Sequence, residues 1–192
     1  MEEIAIVTMD NLSPVARRQL GRYRRAVFVE HMKWDLPSAG KPGTEEWDEF
    51  DRNDTTHVIG YTETRQICGY TRLLPTTRPY LLAEVFPDLM SEPLAGDPRI
   101  WEMSRFTTLH DNVAIDLQRM RQLLRIVFQY AICLEIQRLI GVAPVSMTRL
   151  YRRLGLELRA MGPVALARGD RLAAFSLDVD RAGLTLLCDR SA

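Results

Sequence analysis

A carboxylate, a hydroxyl and a guanidinium lie close together in the hexapeptide at residues 101–106, Trp-Glu-Met-Ser-Arg-Phe. As a β-strand, the hexapeptide places Glu102 and Ser104 on one face and Arg105 on the other. An unpaired buried charge costs several kcal/mol, so Glu102 and Arg105 require partners from elsewhere in the chain or from a ligand. The pattern fits either an ordinary strand whose charges pair with neighbours at a sheet edge or a strand that carries a binding site.

Further arginines and acids occur beside aromatic residues earlier in the chain. Arg24 falls inside the apolar stripe of a predicted helix, where an arginine either snorkels to water or points inward toward a ligand. Arg72 ends a predicted strand and has the same two interpretations. Asp48 and Asp51 lie in an acidic segment, residues 35–54, whose prolines and glycines predict a long loop. Such a loop is either solvated or presents two carboxylates to a cation, although it lacks the ligand spacing of an EF-hand.

The elements that must position these residues alternate between helices and strands. A helix begins at Ser13-Pro14 and runs to about residue 32, and the longest helix runs from about residue 113 to residue 140, where Gly141 ends it. The other predictions are strands at 4–8, 57–63, 66–74, 142–147, 156–161 and 172–179, and short helices at 79–90 and 148–154. This order predicts an α/β (α+β) three-layer sandwich with a mixed central sheet, formed by a single domain at residues 1–192.

Charge and composition exclude several classes of function. The chain has 192 residues, of which 25 are basic and 25 acidic, so its formal charge is zero. We therefore expect no general attraction to nucleic acid or to an anionic membrane. The three cysteines are far apart and form no Cys-x-x-Cys pair, so neither a disulfide framework nor a zinc site is predicted. The acidic N-terminal segment and the lack of a long apolar run predict a cytoplasmic protein without a membrane span.

Several familiar site motifs are absent from the sequence. It contains no Gly-x-Gly-x-x-Gly, Walker A, Gly-x-Ser-x-Gly or His-Glu-x-x-His pattern. The histidines, His31, His57 and His110, are scattered, which favours surface or structural roles over catalytic ones. The unusual feature is the ordered set of arginines, acids and aromatic residues.

That set resembles the acyl-homoserine-lactone synthases, the autoinducer synthases of bacterial quorum sensing. Each matching word alone is unspecific, but four words at compatible spacings make a specific match. The four words are Arg24-x-x-x-Phe28-x-x-x-x-x-Trp34, Glu46-Trp47-Asp48-x-Phe50-Asp51, Gly69-Tyr70-x-Arg72-Leu73-Leu74-Pro75 and Trp101-Glu102-Met103-Ser104-Arg105-Phe106.

The resemblance implies a fold related to the GCN5-type N-acetyltransferases and a reaction between S-adenosylmethionine and an acyl thioester, usually carried by acyl carrier protein. S-adenosylmethionine is a substrate here, so no cofactor or metal is expected. Its carboxylate, amine, sulfonium and adenine suit an arginine fork, carboxylates and aromatic faces. The residues expected to bind it are Arg24, Phe28, Trp34, Asp48, Asp51, Arg72 and Arg105.

The expected catalytic residues all belong to the hexapeptide: Glu102, Ser104 and Arg105. Glu102 is expected to take a proton from the substrate amine, directly or through a water, before that amine attacks the thioester carbonyl. Ser104 either orients the thioester or bonds a neighbouring strand or water. Lactonisation follows, in which the substrate carboxylate expels methylthioadenosine, a step that requires mainly positioning.

The sequence that opens the long helix bears on the acyl donor. In the related acetyltransferases a Gly-rich turn wraps the pyrophosphate of coenzyme A there, but residues 116–124 contain no glycine. A phosphopantetheine arm on a carrier protein has no pyrophosphate and needs no such turn. The family's docking surface for the acidic carrier protein matches Arg149 and Arg153, which are otherwise explained as a solvated helix face.

The acyl chain is expected to occupy an apolar pocket lined by Trp101, Met103 and Val142. Residues 141–146 lack the threonine pair that family members using 3-oxo chains tend to carry, which favours an unsubstituted chain of medium length. Two alternatives stay open: a GCN5-type acyltransferase that uses acyl-coenzyme A, and a non-catalytic domain that binds an adenosine-containing metabolite. A sensor of that kind would have no use for Glu102 beside a thioester.

Overall fold

The computed structural model describes residues 1–34, 36, 43–108, 110–167 and 169–188. These residues form one mixed sheet in the order β1-β2-β3-β4-β5-β8-β6, with β7 paired to β8. β4 and β5 are parallel, and the other neighbouring strands are antiparallel. The strands are β1 (Glu3–Thr8), β2 (Thr56–Tyr61), β3 (Ile67–Pro75), β4 (Ile100–Thr107), β5 (Arg138–Pro144), β6 (Leu158–Ala160), β7 (Ala165–Ala167) and β8 (Asp170–Asp178).

Helices cover both faces of this sheet, which confirms the predicted three-layer sandwich. On one face Leu73 and Met103 pack against Leu124 of α3 and Leu187 of α5. The opposite face packs against α1 and α2 through two further apolar clusters. The helices are α1 (Pro14–Arg24), α2 (Leu81–Val85), α3 (Val113–Cys133), α4 (Val145–Arg153) and α5 (Arg181–Cys188).

Several local predictions are confirmed. The Ser13 hydroxyl accepts a hydrogen bond from the Ala16 amide, and Pro14 is the first helical residue. The predicted hairpin is the antiparallel pair β2 and β3. Part of the predicted loop, at residues 35 and 37–42, lies outside the described residues. No helix in the described part of the chain is long and apolar enough to cross a membrane.

The strand alternation predicted for the hexapeptide is wrong at its end, because β4 contains a bulge. Ser104 lies opposite Arg72 and Thr107 lies opposite Tyr70, so Arg105 and Phe106 together face a single residue of β3. Arg105 adopts the left-handed conformation, with φ at 56°. The bulge brings the Arg105 side chain to the face that carries Ser104, whereas Phe106 turns to the α3 face.

Strands β4 and β5 are paired over only part of their length. Their pairing ends where Glu102 meets Ile140, although both strands continue. Gly141 follows directly, and a Cβ at that position would lie 2.6 Å from the carbonyl oxygen of Met103. The close approach therefore requires glycine here, and the two strands enclose a gap after it.

The predicted C-terminal end of the long helix is also wrong, since α3 ends at Cys133. Glu135 is in the left-handed conformation, with φ at 57°. Its amide bonds to the Ile132 carbonyl at 3.1 Å, and the amide of Ile136 bonds to the Ala131 carbonyl at 2.9 Å. This is a Schellman cap built on glutamate instead of the usual glycine, so no glycine marks the end of the helix in the sequence.

The missed cap displaced the predictions that follow it. β5 begins at Arg138, inside the predicted helix, and α4 begins at Val145 instead of residue 148.

Two other helix predictions also differ from the structure. The predicted helix at 79–90 is split into α2 and a 3-10 turn at Pro87–Leu89. Helix α5 was not predicted at all.

The strained cap leads to a stability prediction. A non-glycine residue in the left-handed conformation costs about 1 kcal/mol, and Glu135 is exposed. We expect Glu135→Gly to raise the free energy of unfolding by about 0.5 kcal/mol, after the greater entropy of the unfolded glycine chain is subtracted. Urea denaturation measures the change. Glu135→Ala is the control, which retains the strain and should give no increase; a destabilised glycine variant would contradict the assignment.

Candidate functional site

Six charged side chains form a closed ring in which positive and negative groups alternate. Three arginines come from α1, β3 and β4, and three carboxylates come from the loop before β2. Each arginine contacts two of the carboxylates, and each carboxylate contacts two of the arginines. In order, the members of this charged ring are Arg24, Glu46, Arg105, Asp48, Arg72 and Asp51.

The first half of the ring surrounds Arg24. Its Nε lies 2.6 Å from Glu46 Oε2, and its Nη1 lies 2.7 Å from Asp51 Oδ1. Two aromatic rings enclose the same guanidinium, with centroids at 4.8 Å for Trp47 and 5.6 Å for Tyr70. The snorkelling interpretation of Arg24 is therefore wrong: the side chain is fully buried and paired.

The second half joins Arg72 and Arg105 through Asp48. Arg72 forms a two-pronged contact with Asp48, at 2.5 and 3.1 Å, and its Nη1 lies 2.9 Å from Asp51. Arg105 Nη2 lies 2.9 Å from Asp48 and 3.1 Å from Glu46, which closes the ring. The cations that face the predicted carboxylate pair of the acidic loop are thus the protein's own arginines.

The ring is electrically balanced, which allows its burial. Burial alone raises the pKa of Asp51, but the charges of Arg72 and Arg24 outweigh that effect and hold this pKa well below its ordinary value. A carboxylate with a lowered pKa stabilises the folded state above its unfolded pKa, and that stability is lost as pH falls. The ring therefore ties the acidic loop to the sheet at full strength at neutral pH and above, and less strongly in acid.

The ring borders a cavity of about 420 Å³, called cavity 1, on the side of the sheet covered by α2. Of the ring residues, Asp48 and Arg105 line cavity 1. Its other charged lining residues are Glu49 and Asp170, so three carboxylates face one guanidinium in the described lining. Cavity 1 is therefore net acidic.

Trp34 supplies an aromatic wall to cavity 1. The helix continues from α1 as a π-helical segment, Arg25–His31, and the left-handed residue Lys33 then turns the chain back. This return lets the Trp34 amide bond to the Phe28 carbonyl at 2.9 Å and stacks the two rings at 5.1 Å. The π-helical segment was not predicted, and π-helical turns are frequent at functional sites.

A second cavity of about 390 Å³, called cavity 2, lies across the gap on the α3 side of the sheet. Both cavities are lined by Trp34, Ser104, Arg105, Val142, Ala143, Pro144 and Asp170. The rest of the lining of cavity 2 includes the apolar residues Met103, Met120, Met147, Leu150 and Phe175. Two ligands that enter from opposite faces of the sheet would therefore meet between β4 and β5, beside Ser104 and Arg105.

Glu102 lies beside this meeting point without lining either cavity. Its side chain is fully buried, and its Oε1 accepts a hydrogen bond from the Leu82 amide at 3.0 Å, at the start of α2. Its Oε2 has no hydrogen-bond partner among the described residues. Burial raises the pKa of Glu102 to about 7, against the opposing charge of Arg72. A carboxyl group that titrates near neutral pH can exchange a proton under ordinary conditions.

The residues predicted for the acyl pocket and for carrier-protein docking lie at different places relative to the two cavities. Met103 lines cavity 2 and Val142 lines both cavities, but Trp101 lines neither, and its indole nitrogen donates to the Pro98 carbonyl at 3.0 Å. Arg149 and Arg153 are exposed on α4, the helix that also contributes residues to cavity 2. No group of three metal-ligating side chains was found among the described residues.

Two residues of the site were missed at the level of sequence. Glu46 belongs to a matching word, but nothing local separates it from the other acids of its loop. His57 was treated as one of three scattered histidines, yet it is fully buried beside the charged ring. Its position beside Thr56 and Val58 in a buried strand is the only local signal that could have indicated this.

The ring geometry predicts a large effect for a small substitution. Glu46→Gln keeps the shape of the side chain but leaves one guanidinium charge unbalanced, and removing one partner of a buried pair costs about 3 kcal/mol. We expect urea denaturation at pH 7 to show a loss of that size. The exposed Glu49→Gln is the matched control and should change the free energy of unfolding by less than about 0.5 kcal/mol. Equal stability of the two variants would contradict the role of the ring.

Comparison with known proteins identifies the family. The family model described as "Autoinducer synthase" matches residues 10–187. An acyl-homoserine-lactone synthase from Ralstonia solanacearum is 41% identical over 167 residues, which cover 84% of this chain and 81% of that protein.

Solved structures agree as well. TofI in a ternary complex with an inhibitor and MTA is 35% identical, with a TM-score of 0.86 over 97% of this chain and 96% of TofI. BjaI, a CoA-dependent acyl-homoserine lactone synthase solved with SAM and isopentyl-CoA, is 29% identical, with a TM-score of 0.85 over 97% of this chain and 88% of BjaI.

A more distant structure bears on the fold alone. An acyl-CoA N-acyltransferase from Pseudomonas aeruginosa is 16% identical, with a TM-score of 0.64 over 91% of this chain and 98% of that protein. The predicted relation to the acyltransferase fold is thus confirmed, and so is the family resemblance found in the sequence. The chain belongs to the autoinducer synthase family, a family of acyltransferases.

Proposed function

We propose that this chain is an acyl-homoserine-lactone synthase that joins S-adenosylmethionine to an acyl group from a carrier-protein thioester. The observation that carries the proposal is the pair of cavities that meet at Ser104 and Arg105 through the gap between β4 and β5. Cavity 1 has three carboxylates and one guanidinium in its described lining, which suits a cationic substrate, and cavity 2 includes Met103, Met120, Met147, Leu150 and Phe175, which suit an acyl chain. The names of the relatives, and the SAM and MTA bound in the structures of BjaI and TofI, support the same activity.

Cavity 1 suits S-adenosylmethionine by charge. The substrate carries a sulfonium, an ammonium and one carboxylate, so its net charge is positive and complements the acidic lining. Arg105 is the guanidinium available to the substrate carboxylate, and Trp34 offers an aromatic face to the sulfonium or the adenine. Phe28 supports Trp34 from behind. Arg24, Asp51 and Arg72 line neither cavity, so their proposed role is to hold Asp48 and Arg105 in place.

The first chemical step forms an amide bond between the two substrates. The ammonium group of S-adenosylmethionine gives up a proton, and the free amine attacks the thioester carbonyl, which releases the donor thiol. Glu102 is the proton acceptor, and because it lies outside both cavities it acts through a water bound at Oε2, the oxygen without a partner in the described part of the chain. The Ser104 hydroxyl lies at the junction of the cavities, where it can orient the thioester.

The second step closes the lactone. A carboxylate oxygen of the acylated substrate bonds to the γ-carbon while the bond from that carbon to sulfur breaks, so neutral methylthioadenosine leaves. The charges of the carboxylate and the sulfonium cancel, and no protein nucleophile is needed. Arg105 and the walls of cavity 1 contribute the geometry of attack.

The acyl donor is proposed to be acyl carrier protein. At the start of α3, where a pyrophosphate would require free amides, the Asn112 side chain already accepts from the Ala114 and Ile115 amides at 2.9 and 3.2 Å. The described lining of cavity 2 contains Asp116 and Asp170 but only Arg105 as a lysine or arginine, which is unfavourable for the phosphates of coenzyme A. BjaI uses coenzyme A, so the donor requires a direct test.

The proposed acyl group is an unsubstituted chain of medium length. At the gap, β5 presents Val142, Ala143 and Pro144, none of which has a side-chain group that could bond a 3-oxo oxygen. A 3-oxo carbonyl would therefore lack a side-chain partner from these three residues, whereas methylene groups gain free energy against the apolar residues of cavity 2. The mass of the product identifies the chain directly.

Mass spectrometry of the purified protein with S-adenosylmethionine and a series of acyl donors tests the proposed reaction. We expect an acyl-homoserine lactone and an equal amount of methylthioadenosine, with unsubstituted medium-length chains preferred. Glu102→Gln should lower kcat by about 100-fold or more while S-adenosylmethionine still binds. Absence of lactone with every donor would refute the synthase assignment, and binding without turnover would favour the sensor alternative.

The pH dependence tests the role of Glu102 separately. A base works only when deprotonated, and the pKa of Glu102 is raised to about 7, so its contribution declines as pH falls below that value. The substrate amine also titrates, but it does so equally in assays of the wild type and of Glu102→Gln. The quantity to measure is therefore the ratio of the wild-type kcat/KM to the Glu102→Gln kcat/KM, in which the titration of the substrate cancels. This ratio should fall as pH drops below about 7. A constant ratio would show that Glu102 does not act as the base.

Reversal of two surface charges tests the carrier protein. The double variant Arg149→Glu/Arg153→Glu should lose about tenfold or more in kcat/KM with acyl carrier protein, because an acidic partner is repelled. Its activity with a small acyl-pantetheine should stay within about twofold. The double variant Arg159→Glu/Arg181→Glu changes the net charge equally on β6 and α5 and serves as the control. Higher kcat/KM with acyl-coenzyme A than with the carrier protein would overturn the donor assignment.

A further inference from the structure

His57 lies beside the charged ring and lines neither cavity, and its ring packs edge-on against Trp47, a residue of cavity 1, with centroids 6.3 Å apart. It belongs to β2 and is fully buried. Its Nδ1 lies 2.8 Å from the Tyr70 hydroxyl, and the two rings are stacked with centroids 5.9 Å apart. The same hydroxyl lies 3.4 Å from Nη1 of Arg24. Neither the proposed chemistry nor the family resemblance assigns a role to His57.

The direction of these hydrogen bonds follows from the chemistry of the groups. A guanidinium only donates, so the Tyr70 oxygen accepts from Arg24. The phenolic proton then needs an acceptor, and Nδ1 of His57 is the one within reach. His57 is therefore neutral, with its own proton on Nε2, which has no partner among the described residues.

The surroundings of His57 disfavour any other state. Burial lowers the pKa of His57 to about 3, Asp51 and Asp48 oppose that shift, and Arg24 and Arg72 add to it. A second proton would add a positive charge beside a ring whose three arginines are already balanced by three carboxylates. His57 thus serves as a permanent hydrogen-bond acceptor near neutral pH.

A short series of contacts leads from His57 to the cavities. His57 holds the Tyr70 hydroxyl, which holds Arg24. Arg24 contacts Glu46 Oε2, and the other oxygen of Glu46 contacts Arg105 at 3.1 Å. Arg105 lines both cavities. The Arg105 guanidinium also lies over the Phe28 ring, 5.6 Å from its centroid, and its Nε has no hydrogen-bond partner among the described residues.

We propose that His57 is a positioning residue that acts through the Tyr70 hydroxyl and the charged ring to orient Arg105 toward the carboxylate of S-adenosylmethionine. This inference rests on the proposed function, which places that carboxylate beside Arg105. It assigns to His57 and Tyr70 an effect on a single group of the substrate. Methylthioadenosine lacks the carboxylate, so its binding provides a direct comparison.

Isothermal titration calorimetry with S-adenosylmethionine and with methylthioadenosine tests this role without requiring turnover. His57→Leu and Tyr70→Phe each remove one end of the hydrogen bond, and each should raise the Kd for S-adenosylmethionine about tenfold. Both should leave the Kd for methylthioadenosine within about twofold. The double variant should bind no more weakly than the weaker single variant, because both substitutions break the same series of contacts.

Two further variants separate positioning from general packing. His57→Asn places a neutral acceptor where Nδ1 lies and should bind S-adenosylmethionine within about threefold of the wild type. Tyr61→Phe, near the end of β2 and half-buried, is the control for loss of a tyrosine hydroxyl and should behave as the wild type. If His57→Leu fails to fold, Tyr70→Phe and His57→Asn carry the same comparison.

The outcomes distinguish failure of this inference from failure of the proposed function. Equal weakening of both ligands would show that His57 has only a packing role and would overturn the inference. Unchanged S-adenosylmethionine binding in both His57→Leu and Tyr70→Phe would do the same. Wild-type protein that binds neither ligand would instead refute the proposed function. A selective loss for S-adenosylmethionine that His57→Asn restores is the result expected here.

Discussion

A buried guanidinium keeps its charge at any ordinary pH, and so each one must be matched by a carboxylate. Arg24, Arg72 and Arg105 come from three separate elements, and the acidic loop supplies all three matching groups. The loop is therefore held against the sheet by charge balance, with Phe50 as an apolar contact beneath it. Because the same loop forms a wall of cavity 1, the charge balance of the ring also holds that wall in place.

The bulge at Arg105 connects this ring to the acyl side of the molecule. In a regular strand Arg105 would face α3, the ring would lack its third cation, and Asp48 would have one partner fewer. The bulge instead turns Arg105 toward the ring. One left-handed residue thus accounts for the closed ring and places the Arg105 guanidinium where the two cavities meet. Backbone strain of this kind is common at functional sites.

Local rules predicted the fold well where a local interaction decides the structure. Ser13 and Pro14 began α1 as expected, and the hairpin of β2 and β3 followed from its residue pattern. The same rules failed at Glu135, where a cap normally made by glycine is held by the burial of Ile136 against the core. Glu46 could not be separated from its acidic neighbours, because what distinguishes it is contact with Arg24 and Arg105.

The types and order of the residues were enough to indicate the family, the layered architecture and most of the charged site. Folding adds three facts that they do not contain: Arg24 and Arg72 pair with the protein's own carboxylates, Arg105 shares a face with Ser104, and Trp101 lines neither cavity. Residue identity and spacing are local properties of the chain. Pairing of buried charges depends on side chains brought together from distant positions, and no local pattern specifies which partner each charge will meet.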